Sequence, residues 1–294
     1  LGWFRRAALG ATAILVGWLA SAGAVGAAPA LWLVRDADSE IFLFGTLHAL
    51  DPRLNWRTPA YDSAYARAQA VWFEADLDGA DPRTVGELID RYGMDRERPL
   101  SAKLSPQDLR ALARQVDVAR IEHLRPWAVA LMLSMQPTLR AGATMEAGVD
   151  AAMTRVARTE AKPVRTFETL EDQARLFAGL SAPAELQYLT DVIRERGRSW
   201  RRPSARGGVS LQQAWLDGDL TRLGPELVGD MRAENPALYD ALLKRRNEAW
   251  AEALSRQMAG AGVELVNVGA LHLVGDDGLP RLLQAKGYEV VRVQ

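Results

Sequence analysis

Phe42-Leu43-Phe44-Gly45-Thr46-Leu47-His48 and Val266-Asn267-Val268-Gly269-Ala270-Leu271-His272 are the two stretches that decide the fold. Each is an apolar run that ends in a glycine, two residues and a histidine. A short apolar run closed by a turn signal reads as a buried strand. The glycine lets the chain turn tightly at the strand end. In open α/β sheets, ligands bind beyond the carboxyl ends of the strands. Both histidines are therefore expected at equivalent strand exits on one edge of a sheet. One such histidine alone would read as structural, but the matched pair reads as functional.

Outward from these stretches, further apolar runs predict strands at Leu31–Arg35, Glu40–Phe44, Ala70–Glu74, Val164–Phe167, Val263–Val268 and Glu289–Val293, the first two as a hairpin around Asp36–Ser39. Helix start signals lie between them. Ser105-Pro106-Gln107-Asp108 supplies an N-cap, a first-turn proline and an acid. Ser181 to Glu185 opens a second helix. Asn235-Pro236 opens a long one running to Gly260 or Gly262, and Leu279-Pro280 a short one ending at Gly287. Strands alternate with helices near both ends of the chain, while about 80–260 is mostly helical with one strand near 164. The expected class is α/β, a mixed central sheet flanked by helices with a large, mainly helical insert.

The chain has 294 residues, 25% charged and 48% hydrophobic, which excludes wholesale disorder. A net charge of −1 argues against a nucleic-acid partner. Cysteine is absent, so disulfides, thiol nucleophiles and cysteine-based metal sites are excluded. Residues 1–30 place Arg5-Arg6 before an apolar run, Ala7 to Ala20, and a small-residue stretch, Ser21 to Ala30. That order is expected of a signal peptide, with export to the periplasm or beyond. The alternative is an uncleaved membrane anchor. Residues 31–294 are then expected to form one domain. Arg194–Arg206 holds six Arg and one Glu. It reads as a solvated helix end, with contact to lipid head groups or another anionic partner as the sharper alternative.

Only three histidines are available for chemistry. His123, in Ile121-Glu122-His123-Leu124-Arg125-Pro126, reads as a surface or capping residue. His48 and His272 are candidate metal ligands. Glu74 closes a third apolar strand, Val71-Trp72-Phe73-Glu74, and a carboxylate abutting a buried strand needs a cationic partner or a metal. Strand alternation puts Asp76 on the same face. Two imidazoles and one carboxylate are a common set for a divalent ion with an open position. A salt bridge to an arginine is the bland reading of Glu74, and a turn is that of Asp276-Asp277. No HExxH, GxSxG, Walker A or GxGxxG pattern occurs.

In order and spacing these residues resemble the TraB/GumN family, which includes the Tiki-type metalloproteases. The resemblance runs through IFLFGTLHAL (Gly45, His48), VWFEAD (Glu74), LRPWAVALML (Pro126, Trp127), AGVDAAM (Gly148, Asp150) and VRTFETLEDQ (Glu168, Gln173). It continues through AWLDGDL (Trp215, Gly218, Asp219) and LLKRRNEAW (Arg246, Asn247) to VNVGALHLVG (Gly269, His272). It implies a fold similar to the erythromycin-esterase and haem-uptake-like proteins. It also implies a site of His48, His272 and Glu74 holding manganese, cobalt or zinc, with Arg246 as a substrate or oxyanion contact. Asp150, Glu168 and Asp219 are implied to be structural or supporting polar groups.

The expected activity is that of a secreted, metal-dependent hydrolase, a peptidase or a cleaver of small esters or amides. Glu74 serves as ligand or as general base. The alternative is a non-catalytic protein that binds a metal, haem or an envelope or polysaccharide-pathway partner through the same residues.

Overall fold

The computed structural model describes residues 28–76, 82–201 and 211–294. The expected signal segment lies outside these residues except for its last three. Six strands form one mixed sheet: β1 Leu31–Arg35, β2 Ser39–Thr46, β3 Ala70–Phe73, β4 Val164–Thr166, β5 Gly262–Gly269 and β6 Glu289–Arg292. Their order is β4-β3-β5-β2-β1-β6. The predicted hairpin is present, with Leu31 opposite Phe44 and Arg35 opposite Glu40. β6 runs antiparallel on the outer side of β1. The four strands β4, β3, β5 and β2 are parallel. The mixed sheet with helices agrees with the α/β class read from the sequence.

The helices are α1 Pro59–Arg67, α2 Pro82–Leu88, α3 Pro106–Ala113, α4 Pro126–Arg140, α5 Val149–Thr159 and α6 Leu170–Ala178. They continue with α7 Ala182–Arg201, α8 Leu211–Leu216, α9 Gly229–Glu234, α10 Pro236–Tyr239, α11 Arg245–Met258 and α12 Leu279–Ala285. Among the described residues β4 is the one strand between β3 and β5, as expected of the helical middle. Ser105 caps α3 by accepting a hydrogen bond from the Asp108 amide.

Side-chain alternation along the strands divides the core between the two faces of the sheet. Phe42 and Phe44 of β2, Val71 and Phe73 of β3, and Leu265 of β5 pack with Tyr61 of α1, Met153 of α5 and Trp215 of α8. Ile41 and Leu43, Trp72, and Val266 and Val268 face the other way, against Trp250 and Leu254 of α11 and Leu283 of α12. A separate apolar cluster joins α3, α4 and α7 through Leu112, Leu133, Leu189 and Ile193.

One expected element differs. The long helix from Pro236 is interrupted by a π-helical turn at Asp240–Lys244 between α10 and α11. Each residue in such a turn advances the chain less far round the axis than in an α-helix, so the side chains after it are re-aimed. Periodicity does not register a single such turn. Part of the arginine cluster is also placed. Arg194 reaches Asp108 on α3, and Arg196 donates to the Leu133 carbonyl and to Gln136 on α4. These two arginines tie α7 to its neighbours. Residues 202–206 of the cluster lie outside the described residues. Among the described residues no helix is long and apolar enough to cross a membrane.

Candidate functional site

The carboxyl ends of the parallel strands bring the expected residues together. β2 and β5 are neighbours, with Thr46 opposite Gly269, so both Gly-x-x-His turns leave the same edge side by side. β3 flanks β5 with Phe73 opposite Asn267, which delivers Glu74 beside them. β4 flanks β3, and the Glu168 amide donates to the Glu74 carbonyl at 2.9 Å, which carries Glu168 to the same edge.

These side chains meet at Gly269. A Cβ built there would lie 3.0 Å from Glu74 Oε1, 3.6 Å from His272 Cδ2 and 3.7 Å from His48 Nε2. Glycine leaves that space open. The Gly269 amide donates to Glu74 Oε1 at 2.7 Å, fixing the carboxylate against the turn.

His48 is positioned by α5. The Val149 amide bonds the Leu47 carbonyl at 3.1 Å. A Cβ on Gly148 would come within 2.1 Å of the His48 carbonyl oxygen, so only glycine permits this approach. The docking sets Asp150, 1% exposed, beneath the ring, with Oδ2 3.0 Å from His48 Nδ1. Thr46 donates to Asp150 Oδ1 at 3.2 Å. The enclosing site disfavours a charge on His48, but the Asp150 carboxylate more than reverses this and raises the ring to about 9. The side chain is 41% exposed, with Nδ1 turned inward to Asp150.

His272 is buried within the short 3₁₀ turn Ala270–Leu273 that follows β5. Its Nδ1 lies 2.5 Å from Asn247 Oδ1 and its Nε2 lies 3.2 Å from Arg246 Nη1. Its ring lies 4.5 Å from that of Trp250. Burial, reinforced by the Arg246 charge, pushes it down to about 3, so it is neutral near pH 7.

Arg246 stands at the start of α11, just past the π turn. Its guanidinium donates to Glu168 through Nε and Nη2, to Glu74 Oε2 at 2.6 Å, to the Leu242 carbonyl at 2.9 Å, and towards His272. It also covers the Trp250 ring at 4.5 Å. All five of its N–H groups are thereby engaged within the chain. Arg246 therefore acts on the site through charge and position. Burial opposes a charge on Glu74, but the neighbouring His272, Arg246 and His48, with the Gly269 amide, outweigh it and hold the carboxyl well below the usual range.

The donor set includes the chemistry of an ion site, but Arg246 lies among the donors. It holds Glu74 Oε2 and faces His272 Nε2. Among the described residues no group of three or more His, Asp or Glu side chains is arranged to hold an ion. Glu74 Oε1 and the Nε2 edge of His48 are the parts of this set that Arg246 does not contact.

The other sequence candidates lie apart from this cradle. His123 is exposed in a turn, where its carbonyl accepts from the Asp95 amide. Asp76 pairs with Arg158 at the surface. Asp219 caps the turn at Thr221 and Arg222. Asp276 and Asp277 lie in a turn, where Asp277 accepts from Tyr239 and its carbonyl accepts from Asn247. Sequence reasoning passed over Trp250. Its signal was the i,i+4 spacing from Arg246 on one helix. Beside Glu168 a cleft of about 500 Å³ opens, lined by Asp76, Glu87, Leu88, Arg91 and Thr166 among others.

The sequence profile of the TraB/PrgY/gumN family matches residues 30–292. The chain belongs to this family. The match spans every strand described above, so the family assignment and the cradle rest on the same residues. The chain is similar to a protein described as uncharacterized protein YbaP from Escherichia coli (strain K12), 25% identical over 261 residues, covering 87% of this chain and 92% of that one. A protein of the same description from Shigella flexneri is 30% identical over 161 residues, covering 54% of this chain and 56% of that one. No solved structure matches the chain significantly.

Proposed function

We propose that this TraB/PrgY/gumN family protein is a hydrolase of amide or ester bonds, with peptides as the favoured substrate, and that one divalent cation works at the Gly269 cradle. The observation that carries this reading is the meeting of His48 Nε2, Glu74 Oε1 and the His272 ring at one glycine on the carboxyl edge of the parallel strands. The donor chemistry fits an ion in two further respects. Each imidazole spends Nδ1 on a fixed partner, Asp150 or Asn247, which turns Nε2 towards the cradle, in His272 against Arg246. Three largely buried carboxylates stand in the cluster, Glu74 and Glu168 on the Arg246 guanidinium and Asp150 on the His48 ring, so carboxylates outnumber cationic groups.

His48 and Glu74 would hold a manganese, cobalt or zinc ion, and His272 would join them only by giving up its contact with Arg246. When bound, such an ion supplies Lewis acidity and a more acidic water. The chain's own residues do the rest. Asp150 fixes the His48 ring and keeps Nε2 aimed at the cradle. Glu74, held ionised, is too weak a base to accept a proton readily, so its role is that of ligand. Arg246 sets the position of Glu74 and the field of the site. The cleft beside Glu168 admits the substrate. Export through residues 1–30, and kinship with the erythromycin-esterase and haem-uptake-like fold, belong to the same proposal.

The test is hydrolysis of a peptide library and of small esters by purified protein with manganese, cobalt or zinc, beside His48→Ala and Glu74→Gln. The proposal expects ion-dependent turnover that both variants lose. Equal turnover in all three proteins would overturn it. Stoichiometric retention of an ion or partner without turnover would favour a binding protein.

A further inference from the structure

The wall behind His272 is built from polar groups that bear on where the ring carries its proton. Asn247, 1% exposed, lies between the His272 ring and the loop that follows it. Its Nδ2 donates to the Asp277 carbonyl at 2.7 Å. A backbone carbonyl only accepts, so the orientation of the Asn247 amide is fixed and its Oδ1 must face His272. That oxygen only accepts as well, and it lies 2.5 Å from His272 Nδ1. Nδ1 must therefore carry the proton. On the opposite side of the ring, Arg246 Nη1 approaches Nε2 at 3.2 Å. Arginine only donates, so its hydrogen bond to Nε2 needs a lone pair there, and this contact is nearer than the acceptor Glu74 Oε1, which lies 3.4 Å from the same atom. The nearer neighbour at each ring nitrogen thus selects the same tautomer. The loop itself is held from outside, since Tyr239 donates to the Asp277 carboxylate.

We propose that Asn247 is a positioning residue that fixes His272 as the Nδ1–H tautomer, so that Nε2 accepts from Arg246 and locks the guanidinium between Glu74 and Glu168. The purpose assigned to this lock rests on the hydrolytic reading of the site, but the tautomer itself is read without turnover. With the proton on Nε2, a donor would face a donor, and Arg246 would lose one of the partners that hold it in plane. Glu74 would then be shared between His272 and Arg246, and the carboxylate would turn away from the cradle.

The experiment is nitrogen NMR of the imidazole rings in the full chain without added metal, at pH 7. Only three histidines contribute to the spectrum, and His48→Ala and His123→Ala identify the rest. In the wild type, His272 should show a protonated Nδ1 and an unprotonated Nε2. A protonated Nε2 overturns the proposal with no variant needed. Asn247→Asp retains an acceptor facing Nδ1 and should keep the tautomer. Asn247→Leu removes the acceptor and should admit the Nε2–H form. An unchanged tautomer in a folded Asn247→Leu protein would also overturn the proposal. If turnover is found, Asn247→Leu should lower kcat roughly 10–100-fold, as removal of outer partners of a site does, and Asn247→Asp should recover part of it. Wild-type His272 in the expected form with no turnover on any substrate would sink the hydrolytic reading and leave the positioning role standing.

Discussion

Single atoms decide how this site is assembled. The hydrogen that stands for a side chain at Gly148 lets α5 approach the His48 carbonyl, where a Cβ would come within 2.1 Å. Gly148→Ala should destabilise the protein by about 1–3 kcal/mol, the usual cost of overpacking, as measured by urea denaturation. It should also uncouple Asp150 from His48, bringing the ring down from about 9 towards its ordinary value in a proton NMR titration of the ion-free protein. A fall in stability with no change at His48 would contradict the positioning account. Arg246 is the second decisive residue. Arg246→Met leaves Glu74 and Glu168 facing each other without their shared cation, and breaking a buried pair in this way costs about 3–5 kcal/mol. Thermal or urea melts check that figure. His48, Glu74 and His272 were legible in the sequence because each directly follows an apolar strand. The internal engagement of Arg246 was not, because it depends on Glu74, Glu168 and His272, which adjacent sequence does not connect to it.

Among the elements, strands were more legible than helix interiors. Every predicted strand is present, because a buried strand shows its apolar run directly. The π turn at Asp240–Lys244 stayed hidden, because its sequence keeps the apolar spacing of the helix around it. The same turn aims Arg246 at the strand ends. Deleting one residue within it should restore α-helical phase and rotate Arg246 out of the site, abolishing the hydrolytic activity proposed above while leaving the far-ultraviolet circular dichroism helical. Retained activity would show that the turn has no role in aiming. The helical middle carries its own charge anchor, Lys103 to Asp95 at 2.6 Å. The Lys103 hydrogen bond holds Asp95 down at about 2, against 3.8 for the free carboxyl. A lowered carboxylate stabilises the fold above its unfolded value and loses that contribution as pH falls through the folded one. The stability difference between wild type and Lys103→Met should therefore be constant above about pH 5 and shrink between pH 4 and pH 2 in urea melts. A difference independent of pH would remove this pair from the account.

At the scale of the whole molecule, the site exists only once both ends of the chain share a sheet. His48 and His272 lie far apart in sequence, yet β2 and β5 are adjacent and in register. The sequence signalled this through its repeated Gly-x-x-His pattern, and it showed the helical middle by its lack of apolar strand runs. The strand order could not be read from it, because order follows from crossovers that no local pattern records. Cysteine is absent and histidine is scarce, yet two of the three imidazoles lie at the cradle. Whether that cradle takes an ion is the central claim. Calorimetric titration of manganese, cobalt and zinc into the chelator-stripped protein tests it most directly, with His48→Ala, Glu74→Gln and Gly269→Ala alongside. The account predicts one ion per wild-type chain and loss of binding in all three folded variants, the last because its methyl group fills the cradle. No binding to the wild type, or binding that survives both His48→Ala and Glu74→Gln, would contradict it.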